Sequence, residues 1–377
     1  MRIFILRLCL VLMVCYIPMH GHAQANDALT GYGFEVNMFA GRVIKHSPKF
    51  HLPLPDRSTG FDVNMVYKCS GRKPWEVCRK YPTIGLAVAY TNYGIDSVYG
   101  RCFSIYPNLV IPIITSKHFE WTIRIGDGMG YVTKKYGRNP ISDTLNNAIG
   151  SHINDYASFM TDLRYIANEH WDIQAGMNFS HISDASYHQP NLGINLYGAH
   201  IGVRYFPVSS KPKHTVCKST PLRDRWLVQT RLGIAFNQIE APRGPTFPVY
   251  LATLYTSKRW HEKNKAYFGV DYSYYESIYT YQRTHEINPG HEAEHSYKAA
   301  LLAGNEFLFG RVGIILQVGY YIVGSEMRMD KYYEKIGGHY YIVQKEKGPI
   351  KELYLTGFLK THKTIAELAE FGLGFGF

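Results

Sequence analysis

Long runs in which every second side chain is apolar constrain this chain more than any other feature. In "RWLVQTRLGIAFNQ" (225–238) Trp226, Val228, Thr230, Leu232, Ile234 and Phe236 make one mostly apolar row, while Gln229, Arg231, Gly233 and Asn237 are polar or small. "KAYFGVDYSYY" repeats the plan, with Phe268, Val270, Tyr272 and Tyr274 against Gly269, Asp271 and Ser273. So does "RVGIILQVGYYI", with Val312, Ile314, Leu316 and Val318 against Gly313, Gln317 and Gly319. Successive side chains of a strand point to opposite faces, so this period of two reads as strand and not helix. A soluble β-sandwich also alternates, but its strands are ordinarily shorter, about five or six residues. Apolar on one face with polar or glycine on the other, sustained over such lengths, is the pattern of a transmembrane β-barrel.

The reading predicts an all-β chain, an antiparallel transmembrane barrel of about sixteen strands. Eight fall between 31 and 206 and eight between 225 and 377; merging short pairs gives fourteen, and two eight-strand halves are the alternative closure. The segment "PVSSKPKHTVCKSTPLRDR" (207–225), rich in Pro and Lys, reads as the boundary between the halves. The chain therefore divides into a leader (1–25), a first half (26–207) and a second half (208–377). Tyrosine (31) and phenylalanine (19) are abundant enough to furnish aromatic girdles at both membrane interfaces. The closing "FGLGFGF" alternates Phe371, Leu373, Phe375 and Phe377 with glycine. It resembles the terminal signature by which the barrel assembly machinery recognises outer-membrane barrels, which makes that machinery an expected partner.

Arg2 and Arg7 precede a short apolar core, "CLVLMVCYIP", and "AQA" (Ala23, Gln24, Ala25) offers small residues for cleavage. This predicts a secretory signal peptide over 1–25; the apolar run is too short for a membrane-spanning helix. In an oxidising exported setting Cys69 and Cys78 can bridge across "CSGRKPWEVC", or remain thiols. No CxxC pairing points to metal, and no metal or organic cofactor is expected. The formal charge of +11 suits phosphate-bearing lipid. Nucleic acid would satisfy the same sign, but no binding motif accompanies it.

The chemistry concentrates in "NFSHISDASYHQPNLGINLYGAHIGVRYF" (178–206). Along 171–183 Ile173, Ala175, Met177 and Phe179 form the lipid-facing row, and His181 and Ser183 continue it. On the following strand Asn195 shares parity with Tyr197, Ala199, Ile201 and Val203. Polar groups on a lipid face are costly, so three together ask for a reason. A hydroxyl beside an imidazole that a third polar group orients is the arrangement of nucleophilic acyl transfer. A substrate that reaches it from the side is a membrane lipid, and the pair is placed to attack an ester of the outer leaflet.

Within that stretch "HISDASYHQPNLGINLYG" resembles the signature hairpin of the PagL-type lipid A 3-O-deacylases, with Ala185, Pro190, Asn191 and Gly193 at matching spacing. The resemblance implies a bacterial outer-membrane esterase that removes an ester-linked acyl chain from lipid A, part of lipopolysaccharide. His181 falls at the base, Ser183 at the nucleophile, and Asn195 where the family carries glutamate. Asp184 falls where an asparagine contributes near the oxyanion site, and backbone N–H groups near Asp184, Ala185 and Ser186 are the implied oxyanion donors. The family barrel has eight strands and ends about where Phe206 stands, which leaves 208–377 outside the resemblance.

A non-enzymatic porin or structural barrel would carry the His-x-Ser pair as a relic. "HEAEH" (His291, Glu292, His295) matches the zinc-protease pattern, which needs a helix to bring both imidazoles to one face. Ser151 and His152 are adjacent, and strand neighbours face apart. Asp127, after Phe119, Trp121, Ile123 and Ile125, lands in an outward row; a glycine-associated bulge is expected to turn it inward, and without one it becomes a minor site candidate.

Overall fold

The alternating runs become walls with two chemically distinct faces. The computed structural model describes residues 29–137, 145–208, 217, 226–238, 244–324, 331–363 and 365–377; the expected leader and most of 207–225 lie outside them. The first eight strands are β1 (Tyr32–Ile44), β2 (Ser58–Lys68), β3 (Thr83–Asn92), β4 (Arg101–Thr115), β5 (Phe119–Val132), β6 (Ile153–Ile166), β7 (Trp171–Ser183) and β8 (Ile194–Tyr205). The second eight are β9 (Leu227–Gln238), β10 (Thr246–His261), β11 (Asn264–Tyr275), β12 (Tyr297–Phe309), β13 (Val312–Val323), β14 (Tyr332–Gln344), β15 (Glu352–His362) and β16 (Ile365–Gly376). Two short helices interrupt them, α1 (Pro74–Cys78) and α2 (Glu276–Thr284).

All neighbours pair antiparallel, and the sixteen strands close as two barrels of eight. The second closure expected from the sequence is therefore the observed one, and a single ring of sixteen is not. β1 meets β8 from Phe34↔Tyr205 to Ile44↔Asn195, and β16 meets β9 from Glu370↔Ala235 to Gly376↔Gln229. The reason lies in what each half places inside. An eight-strand barrel is just wide enough for side chains to fill, and each half carries its own complementary charges. In the first, Arg124 binds Glu35 at 2.8 Å and Asp62 at 2.6 Å, and Arg204 binds Asp172 at 2.6 Å. In the second, Lys335 holds Asp271 at 2.7 Å and Glu370 at 2.8 Å. Buried charges survive only when paired, so these contacts fix which strands share a lumen.

The outward rows are apolar and exposed, including Met38, Val63, Leu86, Ile173 and Ile201. Rings gather at the rim of short turns, where Trp171 packs 4.5 Å from Tyr205 and Phe119 lies 5.4 Å from Tyr165. Toward the rim of long loops the first lumen changes from ion pairs to an apolar plug containing Tyr106, Tyr156, Ile182, Ile194 and Leu196. A one-residue slip of β7 or β8 would carry Ile182, or Ile194 and Leu196, to the lipid face and their polar neighbours inward. The plug thus sets the register of the hairpin that bears the candidate site.

Of the two readings of Cys69 and Cys78, a bridge between them or thiols, the bridge does not form: Cys78 pairs with Cys217, with Cα atoms 4.8 Å apart, and Cys69 and Cys102 are free and buried. Helix α1 carries Cys78 away from Cys69 and onto the second barrel. There Arg79 donates to the carbonyls of Leu308 at 3.2 Å and Lys263 at 2.6 Å, and Trp75 meets Phe309 edge-on.

Candidate active site

The candidate site stands on the β7–β8 hairpin at the long-loop rim. Inward Ile182, Ile194 and Leu196 are at most 1% exposed and anchor the two strands from behind. His181, Ser183 and Asn195 therefore occupy the opposite, outward parity, continuing the exposed row of Trp171, Ile173 and Met177. His181 and Asn195 face each other as a cross-strand pair. The imidazole Nδ1 lies 2.5 Å from Asn195 Oδ1, and its Nε2 lies 2.9 Å from Ser183 Oγ. The amide oxygen can only accept, so Nδ1 carries the proton and Nε2 is left to accept from the serine hydroxyl. The three expected residues are thus brought into one hydrogen-bonded chain. His181 and Asn195 are half-buried, and Ser183 is 3% exposed, leaving a narrow approach to its hydroxyl.

The loop after Ser183 is tightly tied. Asp184 N–H donates to Asn191 Oδ1 at 3.0 Å, and Asp184 Oδ2 accepts from His188 N–H at 3.1 Å. Asp184 N–H is therefore already engaged. Ala185 and Ser186 both adopt left-handed backbone, with φ of 53° and 66°. Successive N–H groups in such turns form concavities suited to anions. Their N–H groups donate to no acceptor among the described residues. The sequence reading assigned Asn191 no role, yet its buried Nδ2 lacks a hydrogen-bond partner among the described residues and is a further donor on the side chain that holds Asp184 N–H, next to Ser183.

Gly193 closes the loop with φ of 75°. A Cβ there would meet His181 Cε1 at 2.6 Å, so the glycine leaves room for the imidazole as well as permitting the turn.

The expected bulge at Asp127 does not occur. The β4–β5 register keeps one offset on either side of Asp127, from Cys102↔Val132 to Ile105↔Met129 and from Asn108↔Gly126 to Pro112↔Thr122. The β5–β6 ladder runs through it without a shift, and Asp127 stays in the outward row opposite Ala157, itself opposite His181. Asp155 lies directly opposite Ser183, so one carboxylate adjoins the dyad on the outer wall, and Asp127 stands one strand further away. Asp155 escaped the sequence reading. Its signal was the break it makes in the outward row of Ile153, Ala157 and Phe159.

The other candidates do not assemble. "HEAEH" lies in turns after α2, not on a helix, and His291 Nδ1 is 3.2 Å from Glu294 in an exposed local pair. Among the described residues the one cluster with metal-ligand spacing is Cys78, Cys217 and Glu262, and its sulfurs are joined to each other. Ser151 donates to Ile153 O at 2.6 Å while His152 Nδ1 contacts Val132 O at 2.7 Å, so the two serve separate backbone contacts.

Comparison with known proteins adds the family. Residues 59–204 match the family model described as lipid A 3-O-deacylase (PagL), and residues 226–377 match the C-terminal domain model of acyloxyacyl hydrolase. No curated protein sequence matches the chain. Among solved structures, Neisserial surface protein A is similar at 12% identity and a TM-score of 0.34, over 47% of this chain and 97% of that one. The outer membrane enzyme PagL is similar at 14% and 0.30, over 45% and 97%. A mutant of the Rh. blastica porin is similar at 9% and 0.19, over 92% and 99%. With TM-scores below 0.5, none of these structural likenesses carries weight for function.

Proposed function

Since this chain belongs to the PagL-type family of outer-membrane lipid A deacylases, we propose that it hydrolyses an acyl ester of lipid A by serine catalysis, working on lipid of the outer leaflet. Ser183 Oγ attacks the ester carbonyl carbon while His181 Nε2 takes its proton. Asn195 holds the ring in the required tautomer throughout. The oxyanion of the tetrahedral intermediate is met by the N–H groups of Ala185 and Ser186 and by Asn191 Nδ2. Collapse expels the sugar hydroxyl, protonated by His181, and leaves an acyl-enzyme. Water activated by the same imidazole then frees the fatty acid and restores Ser183. Exposed Lys45, Lys49 and Lys134 at the long-loop rim supply charge for lipid phosphates.

One observation carries this reading: the hydroxyl, imidazole and amide form a single chain on the outward parity of a barrel strand. A nucleophile on that face takes its substrate from the bilayer, not from a lumen packed with ion pairs. The test is mass spectrometry of lipid A from cells producing the wild type or Ser183→Ala. Loss of one acyl chain with the wild type alone supports the esterase; identical spectra remove it and favour a structural barrel.

A further inference from the structure

The second barrel adds nothing to the hydrogen-bonded chain of Ser183, His181 and Asn195, yet it touches the loop that follows the nucleophile at several points. Ser186 O accepts from Gln238 N–H at 3.0 Å, and Ser186 Oγ donates to Ala366 O at 2.8 Å. Gln189 N–H donates to Gln238 Oε1 at 2.8 Å. Tyr187 meets Phe236 edge-on, 6.3 Å between ring centres. Gln238 is itself held, since its Nε2 donates to Gly244 O at 2.6 Å, and it is 3% exposed.

These contacts act on the residues whose backbone faces the reaction. Ala185 and Ser186 sit in left-handed conformations, which are strained for residues bearing a Cβ and persist only when the surroundings hold them. Holding both the carbonyl and the hydroxyl of Ser186 anchors that residue from two sides and so restrains the preceding peptides, whose N–H groups are the oxyanion donors. At the opposite rim the Cys78–Cys217 bond and the contacts of Arg79 tie the same two barrels. The second barrel is thereby fastened at both ends and offers a rigid support for the loop.

We propose that Gln238 is a positioning residue for the esterase and that the second barrel serves as the scaffold that holds the oxyanion loop. This rests on the serine-esterase reading above. Gln238 touches no substrate atom; it acts through Gln189 and Ser186. Preorganised oxyanion donors typically change turnover by about 100-fold or more when lost, and a displaced loop forfeits part of that.

The experiment uses the full-length protein in lipid A–containing vesicles, with turnover normalised to the folded fraction read from heat-modifiable gel mobility. Gln238→Leu removes the acceptor of Gln189 N–H, Gln238→Glu keeps it, and Ser186→Ala removes the bond to Ala366 O while disturbing the packing least. We expect kcat to fall about tenfold in Gln238→Leu and about threefold or more in Ser186→Ala, with KM within twofold. Gln238→Glu should recover most of the loss. Labelling of Ser183 by a fluorophosphonate should slow in parallel. If Gln238→Leu fails to fold, Ser186→Ala decides. Turnover per folded molecule at or above the wild-type value in the folded variants overturns the inference, as does equal impairment of Gln238→Leu and Gln238→Glu. Ser183→Ala run alongside separates the failures: full activity there sinks the serine mechanism, whereas an inactive Ser183→Ala beside an unaffected Gln238→Leu sinks only the scaffold role. A wild type that neither turns over nor labels sinks both.

Discussion

His181 Nδ1 and Asn195 Oδ1 meet at 2.5 Å across the β7–β8 hairpin, an amide holding an imidazole where the resembling family has a carboxylate. The amide sets the tautomer but brings no negative charge to the imidazolium that forms during attack. Asn195→Glu should therefore raise turnover, by about tenfold. Asn195→Leu, which releases the ring, should lower it by at least the same factor. Initial rates of fatty-acid release from lipid A vesicles check both, and a glutamate variant slower than the wild type would contradict the assignment of Asn195.

Gly193 should tolerate no side chain. Alanine there must adopt a φ of 75° and would crowd His181 Cε1 at 2.6 Å. Such strain costs about 1–3 kcal/mol, less than the whole barrel's stability. Gly193→Ala should fold and insert yet lose tenfold or more in turnover, measured against its heat-modifiable band. Unchanged turnover would show that the imidazole has other room.

Asp127 stands on the outer wall without a hydrogen bond or ion pair among the described residues. A carboxylate there is a cost that the wall bears for another purpose, so Asp127→Ala should stabilise the barrel by up to about 1 kcal/mol. Urea unfolding in lipid vesicles reads this as a higher midpoint. A lower midpoint would mean that Asp127 has a stabilising partner in the membrane.

The cysteines make a separate prediction. Burial pushes the Cys69 thiol up to about 12, so at neutral pH it holds almost no thiolate to react. Native protein should resist iodoacetamide at Cys69 and Cys102, and both should be alkylated once unfolded. A non-reduced digest should yield a peptide pair joined through Cys78 and Cys217. A Cys69–Cys78 pair in its place would refute the bridge between barrels.

Much of the site was legible because it is local. His181 and Ser183 are two apart on one strand, and the hairpin brings Asn195 opposite, so parity alone put all three on one face. Asp127 was misjudged for the opposite reason. Whether a strand carries a bulge depends on the partner's register, and the unbroken ladder with β6 is no property of "RIGDGMGY" by itself. Asp155 was missed because its importance comes from standing opposite Ser183, not from its own neighbours in the chain.

The amino-acid order alone determined the run of sixteen alternating strands and the outward placement of the dyad, because strand periodicity is written residue by residue. Tertiary structure alone decided that the strands close as two rings, that Cys78 finds Cys217, and that Gln238 and Ala366 brace the loop after Ser183. Backbone edges carry no side-chain label, so closure is settled by which buried charges can be paired inside one lumen. The bracing contacts join residues 49 and 180 positions apart, a distance over which no local pattern reaches.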